Sequence, residues 1–184
     1  MKMRTVGSLA ILDFDIEARA TGYGDPRWVP QEITAIAWSW IGDERVVCHL
    51  RCNGAPRMLA RFRAVYEKAN IVTGHNIRKY DLPLVNAEML RFGMTPLPAT
   101  LTQDTLRQIT RTTGMKRDQD NLGKLLNTET DKHAMSWQDW QDAYAESGWG
   151  GVRKRVVTDV VGHKQIRARM IEDGWIKPPV IWRP

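Results

Sequence analysis

Two carboxylates, Asp15 and Glu17, lie two residues apart at the end of an apolar run over residues 8–14. Side chains alternate along a strand, so residues i and i+2 project from the same face. Two carboxylates on one face repel each other, which raises at least one pKa unless a cation lies between them. Hard divalent ions such as Mg²⁺ prefer oxygen ligands of this kind. The spacing therefore indicates a metal site, although a solvated strand end would carry the same two residues.

Two further carboxylates lie far along the chain. Asp81 follows a short apolar stretch and opens a predicted helix, where the helix dipole by itself favours an acidic residue. Asp159 interrupts a run of valines on the apolar side of the last predicted helix, where an unpaired carboxylate would be costly. Four carboxylates that a fold brings together are what a two-metal phosphoryl-transfer site needs.

The elements that must position these residues begin with strands. The period-two patterns predict an antiparallel meander of three strands over residues 8–14, 33–41 and 45–50, with a turn at Gly42-Asp43. The second strand is apolar on both faces, which is typical of a central strand. Two short strands are expected later, at residues 71–73 and 100–104.

Helices are expected between and after these strands. Helical spacing of apolar residues predicts helices over residues 56–69, 79–92, 105–112 and 121–126, and a last long helix over residues 151–173. The stretch 127–151 predicts a mixture of loop and short helix, and the tail 174–184 an extended segment. Together the elements predict a single α/β domain over residues 1–184, with a core at about 8–173 and a mixed five-stranded sheet flanked by helices.

The composition is that of an ordinary globular protein with a basic surface. The chain of 184 residues has 27 Lys and Arg against 21 Asp and Glu, a net charge of +6. Basic surfaces attract phosphate, although many basic proteins bind no nucleic acid. No apolar run reaches the roughly 20 residues that cross a bilayer, and the N-terminus does not match a signal peptide. We therefore expect no membrane partner and a cytoplasmic location.

The two cysteines do not predict a zinc site. Cys48 and Cys52 flank His49, but no second ligand pair follows at the spacing that zinc sites use. Reduced thiols in or beside a strand are the better interpretation, and a cytosolic chain does not favour a disulfide.

The chemistry-bearing segments occur in a recognisable order. They are Phe14-Asp15-Ile16-Glu17, then His75-Asn76 followed by Tyr80-Asp81-Leu82-Pro83, then Gln103-Asp104-Thr105-Leu106 with the stretch 121–126, and finally Asp159-Val160 in a C-terminal helix. This series resembles the DEDD 3′–5′ exonucleases, the proofreading-exonuclease family with a ribonuclease H-like fold, and especially its small phage-type members. The resemblance spans residues 8 to 173.

The resemblance implies a ribonuclease H-like fold and a metal-dependent 3′–5′ exonuclease in a bacterial cell or a phage-infected host. Asp15, Glu17, Asp81 and Asp159 would bind two divalent ions, Mg²⁺ or Mn²⁺, and hydrolyse phosphodiester bonds at the 3′ ends of single-stranded DNA, or of RNA. No residue identifies contacts to a 2′-hydroxyl, and none predicts an oligomeric state.

The second motif carries two candidate nucleic-acid-binding residues. His75 and Asn76 fall where the family places residues beside the terminal nucleotide. A structural histidine is an alternative for His75, and helix capping is an alternative for Asn76. Asp104 is interpreted as the cap of the helix that starts at Thr105.

One feature departs from the family. A Tyr or a His that handles the proton of the water is expected four or five residues before the last Asp, where this chain has Arg155 and Lys154. Neither is a base near neutral pH. The alternatives are His163, one turn after Asp159, or His133, or the metals alone, with Arg155 as a candidate phosphate ligand. The departure also favours a rival hypothesis, a weak or inactive nucleic-acid-binding module or subunit of a replication complex.

Aromatic and basic residues near the last helix have two interpretations each. Trp137, Trp140 and Trp149 could stack on bases of a single strand or pack as a lid. The run 153–155 is either a solvated helix face or a path for phosphates.

Overall fold

The structure is a computed structural model that describes residues 9–20, 31–109, 116–128, 134–145 and 147–184. The described residues form six strands: β1 (Ile11–Ala20), β2 (Gln31–Trp40), β3 (Val47–Leu50), β4 (Ile71–Gly74), β5 (Thr100–Asp104) and β6 (Val180–Trp182). They also form six α-helices: α1 (Ala55–Tyr66), α2 (Asp81–Arg91), α3 (Thr105–Gln108), α4 (Gln119–Leu125), α5 (Trp137–Tyr144) and α6 (Trp149–Glu172). A 3₁₀ turn, Arg51–Asn53, precedes α1.

The strands make one mixed sheet in the order β3-β2-β1-β4-β5-β6. The pairs β1–β2 and β2–β3 are antiparallel, which confirms the predicted meander, and β1–β4 and β4–β5 are parallel. The predicted α/β architecture of a mixed sheet with flanking helices is therefore confirmed.

Within the described part of the chain, the sheet has six strands instead of the five expected from the sequence. Residues of the C-terminal tail form β6, which pairs antiparallel with β5. The hydroxyl of Thr102 donates to the carbonyl of Val180 at 2.9 Å, and the buried ring of Trp182 joins the main core. Three residues after two prolines are too few to show the alternation by which a strand is recognised in sequence.

The first strand is longer than its apolar run suggested. It continues to Ala20, so Asp15 and Glu17 lie within the strand instead of at its end. Asp15 is opposite Ala37 and Glu17 is opposite Ala35 on β2, and the register shifts between Glu17 and Ala18. Ladder hydrogen bonds to β2 hold this polar part of β1 extended, whereas the small alanine side chains leave room around the two carboxylates.

The two faces of β1 have different partners. Leu12, Phe14 and Ile16 are buried in the main core, which includes side chains of α1 and α2. The alternate residues Asp13, Asp15 and Glu17 project to the other face, as strand geometry requires. Helix α6 covers this second face and contacts both β1 and β2.

Helix α6 begins and ends within two residues of the predicted bounds 151–173. Val152, Val156 and Val160 recur every four residues and pack on Ala35 and Ala37. Burial of each valine contributes about 1.5 kcal/mol or more to the docking of the helix on the sheet. Val161 and Ile171, each next in sequence to a buried residue of this helix, are exposed because they lie about a quarter-turn outside the buried stripe.

The stretch 127–151 contains α5, whose first turn has a capping box. The hydroxyl of Ser136 accepts from the backbone N–H of Asp139, and the Asp139 carboxylate accepts from the backbone N–H of Ser136.

None of the helices in the described part of the chain is both long and apolar enough to cross a bilayer.

Candidate metal centre and active site

Three carboxylates converge between β1 and α6. Ligand oxygens of Asp15, Glu17 and Asp159 lie within 4.8 Å of one another. The first two project from one face of β1, and α6 carries Asp159 over that face because Val156 and Val160, on either side of it, are anchored in the apolar layer below. The arrangement offers a hard cation three oxygen donors without a change in the backbone. The site is an acidic triad that can hold a metal ion.

The fourth predicted carboxylate is also nearby. Asp81 is the first residue of α2 and is 2% exposed. Burial is the largest influence on its carboxyl group, and Asp104 and Glu17 add repulsion, so its pKa rises to about 8 although the backbone N–H of Ile16 hydrogen-bonds to it. Without a cation, burial and the neighbouring negative charges therefore favour the protonated form of Asp81.

The four carboxylates line one cavity of about 440 Å³. The other described residues in its wall come from β1, from the loop before α2, and from α3, α4 and α6: Ile16, Ala18, His75, Asn76, Tyr80, Leu106, Asp118, Gln119 and Arg155. The cavity thus contains seven of the predicted site residues: Asp15, Glu17, His75, Asn76, Asp81, Arg155 and Asp159.

Arg155 is directed into the triad. Its Nε lies 2.5 Å from Oε1 of Glu17 and 4.0 Å from Oδ2 of Asp159, one helical turn further along α6. Burial lowers the pKa of the guanidinium, but Glu17 and Asp159 outweigh that effect and the net pKa is raised. A permanent cation cannot act as a base, so Arg155 serves the site by partly neutralising it or by contacting an anionic ligand.

The loop that carries His75 and Asn76 is held by Asp104. Oδ1 of Asp104 accepts from the backbone N–H groups of Asn76 and Leu106, and Oδ2 accepts from that of Arg78. The bond to Leu106 caps α3, which confirms the interpretation of Asp104. Asn76 itself has a φ of +64° and does not cap α2, whose N-cap residue is Tyr80, so the capping alternative for Asn76 is wrong.

Close packing explains why the residue that precedes this loop, Gly74, is a glycine. A Cβ at Gly74 would lie 2.7 Å from the carbonyl oxygen of Phe14 and 2.4 Å from Cγ2 of Ile77. Any other residue would push the loop away from β1. Glycine therefore keeps His75 and Asn76 close to the carboxylates of that strand.

The candidate bases have different positions. His163 is 2% exposed, and it is not among the described residues that line the cavity. Its Nδ1 contacts both oxygens of Asp13, at 2.7 and 2.9 Å, and its Nε2 contacts Oγ1 of Thr105 at 3.0 Å. Because both ring nitrogens are engaged below the site, we do not retain His163 as the base. His133 lies outside the described residues.

Sequence reasoning missed Asp13, Thr105, Asp118 and Gln119. Asp13 had a usable signal, since it lies two residues before Asp15 and therefore on the same face of β1. Gln119 had none: its amide donates to the backbone carbonyl of Asp159 at 2.7 Å, a contact that only the packing of α4 on α6 creates.

No known family model matches the sequence, and no curated protein matches it either. Among solved structures, the chain is similar to a family B DNA polymerase from the hyperthermophilic archaeon Pyrobaculum calidifontis, with a TM-score of 0.64 and 14% sequence identity. The match covers 89% of this chain and 25% of the polymerase chain. At this identity the likeness establishes the fold and nothing finer. The chain is an α/β protein with a ribonuclease H-like fold and an acidic cluster.

Proposed function

We propose that the protein is a 3′–5′ exonuclease that hydrolyses the terminal phosphodiester bond of single-stranded DNA, or of RNA, in a metal-dependent reaction. The observation that carries the proposal is the convergence of Asp15, Glu17 and Asp159 within 4.8 Å, in a cavity that Asp81 also lines. The motif order that resembles DEDD exonucleases and the fold shared with a quarter of a family B DNA polymerase support it.

The residues present fit divalent cations. All four candidate ligands are carboxylates, the donor class that Mg²⁺ and Mn²⁺ prefer. The raised pKa of Asp81 is caused by burial and by neighbouring negative charge, and cations would offset both. We infer that Asp15, Glu17, Asp81 and Asp159 hold two Mg²⁺ or Mn²⁺ ions. When bound, such ions lower the pKa of a water and stabilise a leaving oxygen.

The reaction needs one water and releases one nucleotide at a time. The oxygen of the water bonds to the terminal phosphorus, the bond from phosphorus to the 3′ oxygen breaks, and that oxygen takes up a proton. The products are a nucleoside 5′-monophosphate and a strand shortened by one nucleotide. We infer that Arg155, which contacts Glu17, balances negative charge on the phosphate.

The residues around α5 and α6 fit a single strand to different degrees. Trp137 is 65% exposed on α5 and remains a candidate for base stacking. Trp149 is half-buried, with the guanidinium of Arg19 over its ring at 5.7 Å, which favours packing over stacking. Arg153 and Lys154 are exposed on α6 next to the cavity residue Arg155 and can follow the backbone phosphates.

The test uses one oligonucleotide labelled at either end. With Mn²⁺, the 5′-labelled strand is expected to shorten in single-nucleotide steps, whereas the 3′ label is released at once as a mononucleotide. Asp15→Asn and a chelator are expected to abolish both signals. Asp173→Asn is the matched control, since Asp173 caps the far end of α6 and pairs with Arg169. Internal cleavage, or shortening that persists in Asp15→Asn, would contradict the proposal.

A second candidate is a nucleic-acid-binding module without turnover, or a subunit of a replication complex. Arg155, where the family has a Tyr, and its ion pair with Glu17 favour this alternative. Fluorescence anisotropy with a labelled single strand distinguishes the two. Tight binding with no metal-dependent shortening in the same sample would support the module and exclude the exonuclease.

A further inference from the structure

A chain of hydrogen bonds runs from the interior of the sheet to the wall of the cavity. Asp13 contacts Nδ1 of His163 at 2.7 Å, and Nε2 of His163 contacts Oγ1 of Thr105 at 3.0 Å. The same Oγ1 contacts Nδ1 of His75 at 3.0 Å, and His75 lines the cavity. Asp13 and Thr105 are 0% exposed, so solvent does not compete for these contacts. The four side chains come from β1, α6, α3 and the loop after β4.

Hydrogen-bond chemistry gives this chain a direction. A carboxylate only accepts, so Asp13 accepts a hydrogen bond from Nδ1–H of His163. The neutral imidazole of His163 then accepts at Nε2, and the single proton of the Thr105 hydroxyl is directed to it. Having donated, the Thr105 oxygen accepts from Nδ1–H of His75. A neutral His75 ring with its proton on Nδ1 has Nε2 as an acceptor.

The opposite direction would require one more buried proton. If the Thr105 hydroxyl donated to His75, Nε2 of His163 would carry a proton, and a further proton would lie on Asp13 or on Nδ1 of His163. A proton on Asp13 would remove the negative charge that counteracts the effect of burial on the pKa of Arg167. A proton on Nδ1 would make His163 a second buried cation near Asp13, in addition to Arg167. Arg167 is itself held by Oε1 of Gln103 at 2.7 Å. A second buried cation next to a single carboxylate would be uncompensated and costly.

The other acceptor near Thr105 does not change this conclusion. The carbonyl of Gly74 lies 3.4 Å from Oγ1, at the long limit for a hydroxyl donor. The two histidine contacts are shorter by 0.4 Å. The Thr105 hydroxyl therefore donates to a histidine nitrogen, and a neutral His163 with its proton on Nδ1 makes Nε2 of His163 that acceptor.

We propose that Asp13, His163 and Thr105 form a positioning relay that holds the ring of His75 in the Nδ1–H tautomer and presents Nε2 as a hydrogen-bond acceptor to the cavity. There Nε2 orients the attacking water, the role for which the chain has no Tyr on α6. This last step rests on the proposed exonuclease function, whereas the tautomer is a property of the protein alone.

The first experiment measures the tautomer without a substrate. Long-range ¹⁵N–¹H spectra of imidazole-labelled, metal-free protein identify the protonated nitrogen, and His75→Gln assigns the His75 signals. We expect Nδ1–H in the wild type and in Thr105→Ser, which keeps the hydroxyl, and a shift toward Nε2–H in the near-isosteric Thr105→Val. An Nε2–H tautomer in the wild type or in Thr105→Ser would overturn the relay even if Thr105→Val does not fold. An unchanged Nδ1–H tautomer in folded Thr105→Val would also overturn it.

The second experiment connects the relay to turnover. We expect Thr105→Val to lower kcat about 10-fold, with little change in KM. Loss of a residue that orients a group of the site typically lowers activity 10- to 100-fold, and we expect the lower end of that range. Thr105→Ser, which keeps the hydroxyl, is expected to have a kcat within about 2-fold of the wild-type value. Equal kcat in Thr105→Val and wild type would show that the relay does not serve hydrolysis. A wild type with the Nδ1–H tautomer and no nuclease activity would instead contradict the proposed function and leave the relay intact.

Discussion

Among the described residues, two clusters of charged side chains beside the β1–β2 pair differ in how their charges are arranged. In the first cluster, positive and negative residues alternate. Glu32 lies between Arg19 and Arg51, at 2.5 and 2.9 Å, and Glu88 lies between Arg51 and Arg91, at 2.6 and 2.7 Å. We call these five residues the charge ladder. Each carboxylate in it has cationic neighbours on both sides.

The second cluster lies in the cavity, where carboxylates adjoin carboxylates. Asp15, Glu17 and Asp159 converge, and Asp81 lies close enough for Glu17 to raise its pKa. Arg155 bonds to Glu17 at 2.5 Å and approaches Asp159 only to 4.0 Å. Like charges at this spacing oppose folding in the absence of a ligand.

The difference separates a structural cluster from a functional one. Alternating charges satisfy one another, so the charge ladder ties β1, β2 and α2 together. Converging carboxylates repel one another when no cation is present. A bound cation relieves this repulsion, so metal binding also stabilises the folded state. The same chemical change, from carboxylate to amide, should therefore have opposite effects in the two places.

The largest effect is expected for metal binding at the cavity. Asp159→Asn removes a direct oxygen ligand, and we expect the Mn²⁺ affinity to fall by more than about 100-fold, since even indirect partners contribute 10- to 100-fold. Titration calorimetry measures this. Glu32→Gln, in the charge ladder, is the matched control and should bind Mn²⁺ as the wild type does. Equal Mn²⁺ affinity in Asp159→Asn and wild type would contradict the inference that the cavity carboxylates bind a metal ion.

The next effect is on stability at the charge ladder. Glu88 is 1% exposed, and Glu88→Gln leaves Arg51 and Arg91 without its charge. A broken buried pair costs several kcal/mol, and partial exposure of both arginines reduces this to about 2–3 kcal/mol. We expect the Tm to fall by about 5–10 °C in calorimetry. Glu67→Gln, in the exposed pair with Arg63, should change the Tm by no more than about 2 °C.

A smaller effect, of opposite sign, is expected at Asp81. Burial and neighbouring carboxylates raise the pKa of Asp81 from its ordinary value of 3.8 to about 8, so the folded protein binds an extra proton between these pH values. The stability that Asp81 contributes is therefore present below about pH 4 and is lost as the pH rises towards about 8. In chelator, Asp81→Asn should be more stable than wild type at pH 8 by several degrees in Tm, and equally stable at pH 4.

Divalent cation should reverse that difference. Ligands that bind only the folded state stabilise it, and Asp81→Asn would lose part of that stabilisation. We expect Mg²⁺ to raise the Tm of the wild type more than that of the variant at pH 8. A variant that is less stable than wild type in chelator at pH 8 would contradict the electrostatic strain inferred for the cavity.

The smallest effect concerns Arg155. If its guanidinium contacts one phosphate, Arg155→Met should reduce the slope of log affinity against log salt by about 0.7 for a single-stranded oligonucleotide. Anisotropy titrations in calcium or chelator, at several salt concentrations, measure the slope. Arg169→Met, at the exposed end of α6, is the control. An unchanged slope in Arg155→Met would exclude a contact between Arg155 and a phosphate. The role of Arg155 would then be to neutralise the carboxylates of the triad.

Several elements could be predicted from local patterns. Period-two alternation predicted the meander, and the four-residue recurrence of valines predicted α6 to within two residues. The two-residue spacing of Asp15 and Glu17 correctly placed both on one face of β1. In each case the signal is local, because strand alternation and helix periodicity depend only on near neighbours in sequence.

Other features had no local signal. The short strand β6 forms because β5 offers an edge and Trp182 finds a place in the core. The charge ladder joins residues that are up to 72 positions apart, from Arg19 to Arg91, and pairings at that separation depend on how the elements pack.

His163 shows most clearly where prediction from sequence ends. The sequence by itself determined that Asp159 and His163, four residues apart on a helix, lie on nearly the same side of it. Four residues amount to about 40° more than one turn, and whether that rotation leads into the cavity or beneath it depends on how α6 lies on the sheet. Only the tertiary structure decided this: α6 directs Asp159 to the triad and His163 to Asp13 and Thr105. Residue types and local spacing set which groups are available for chemistry, whereas the packing of α6, α3 and the loop after β4 against β1 sets which of them meet.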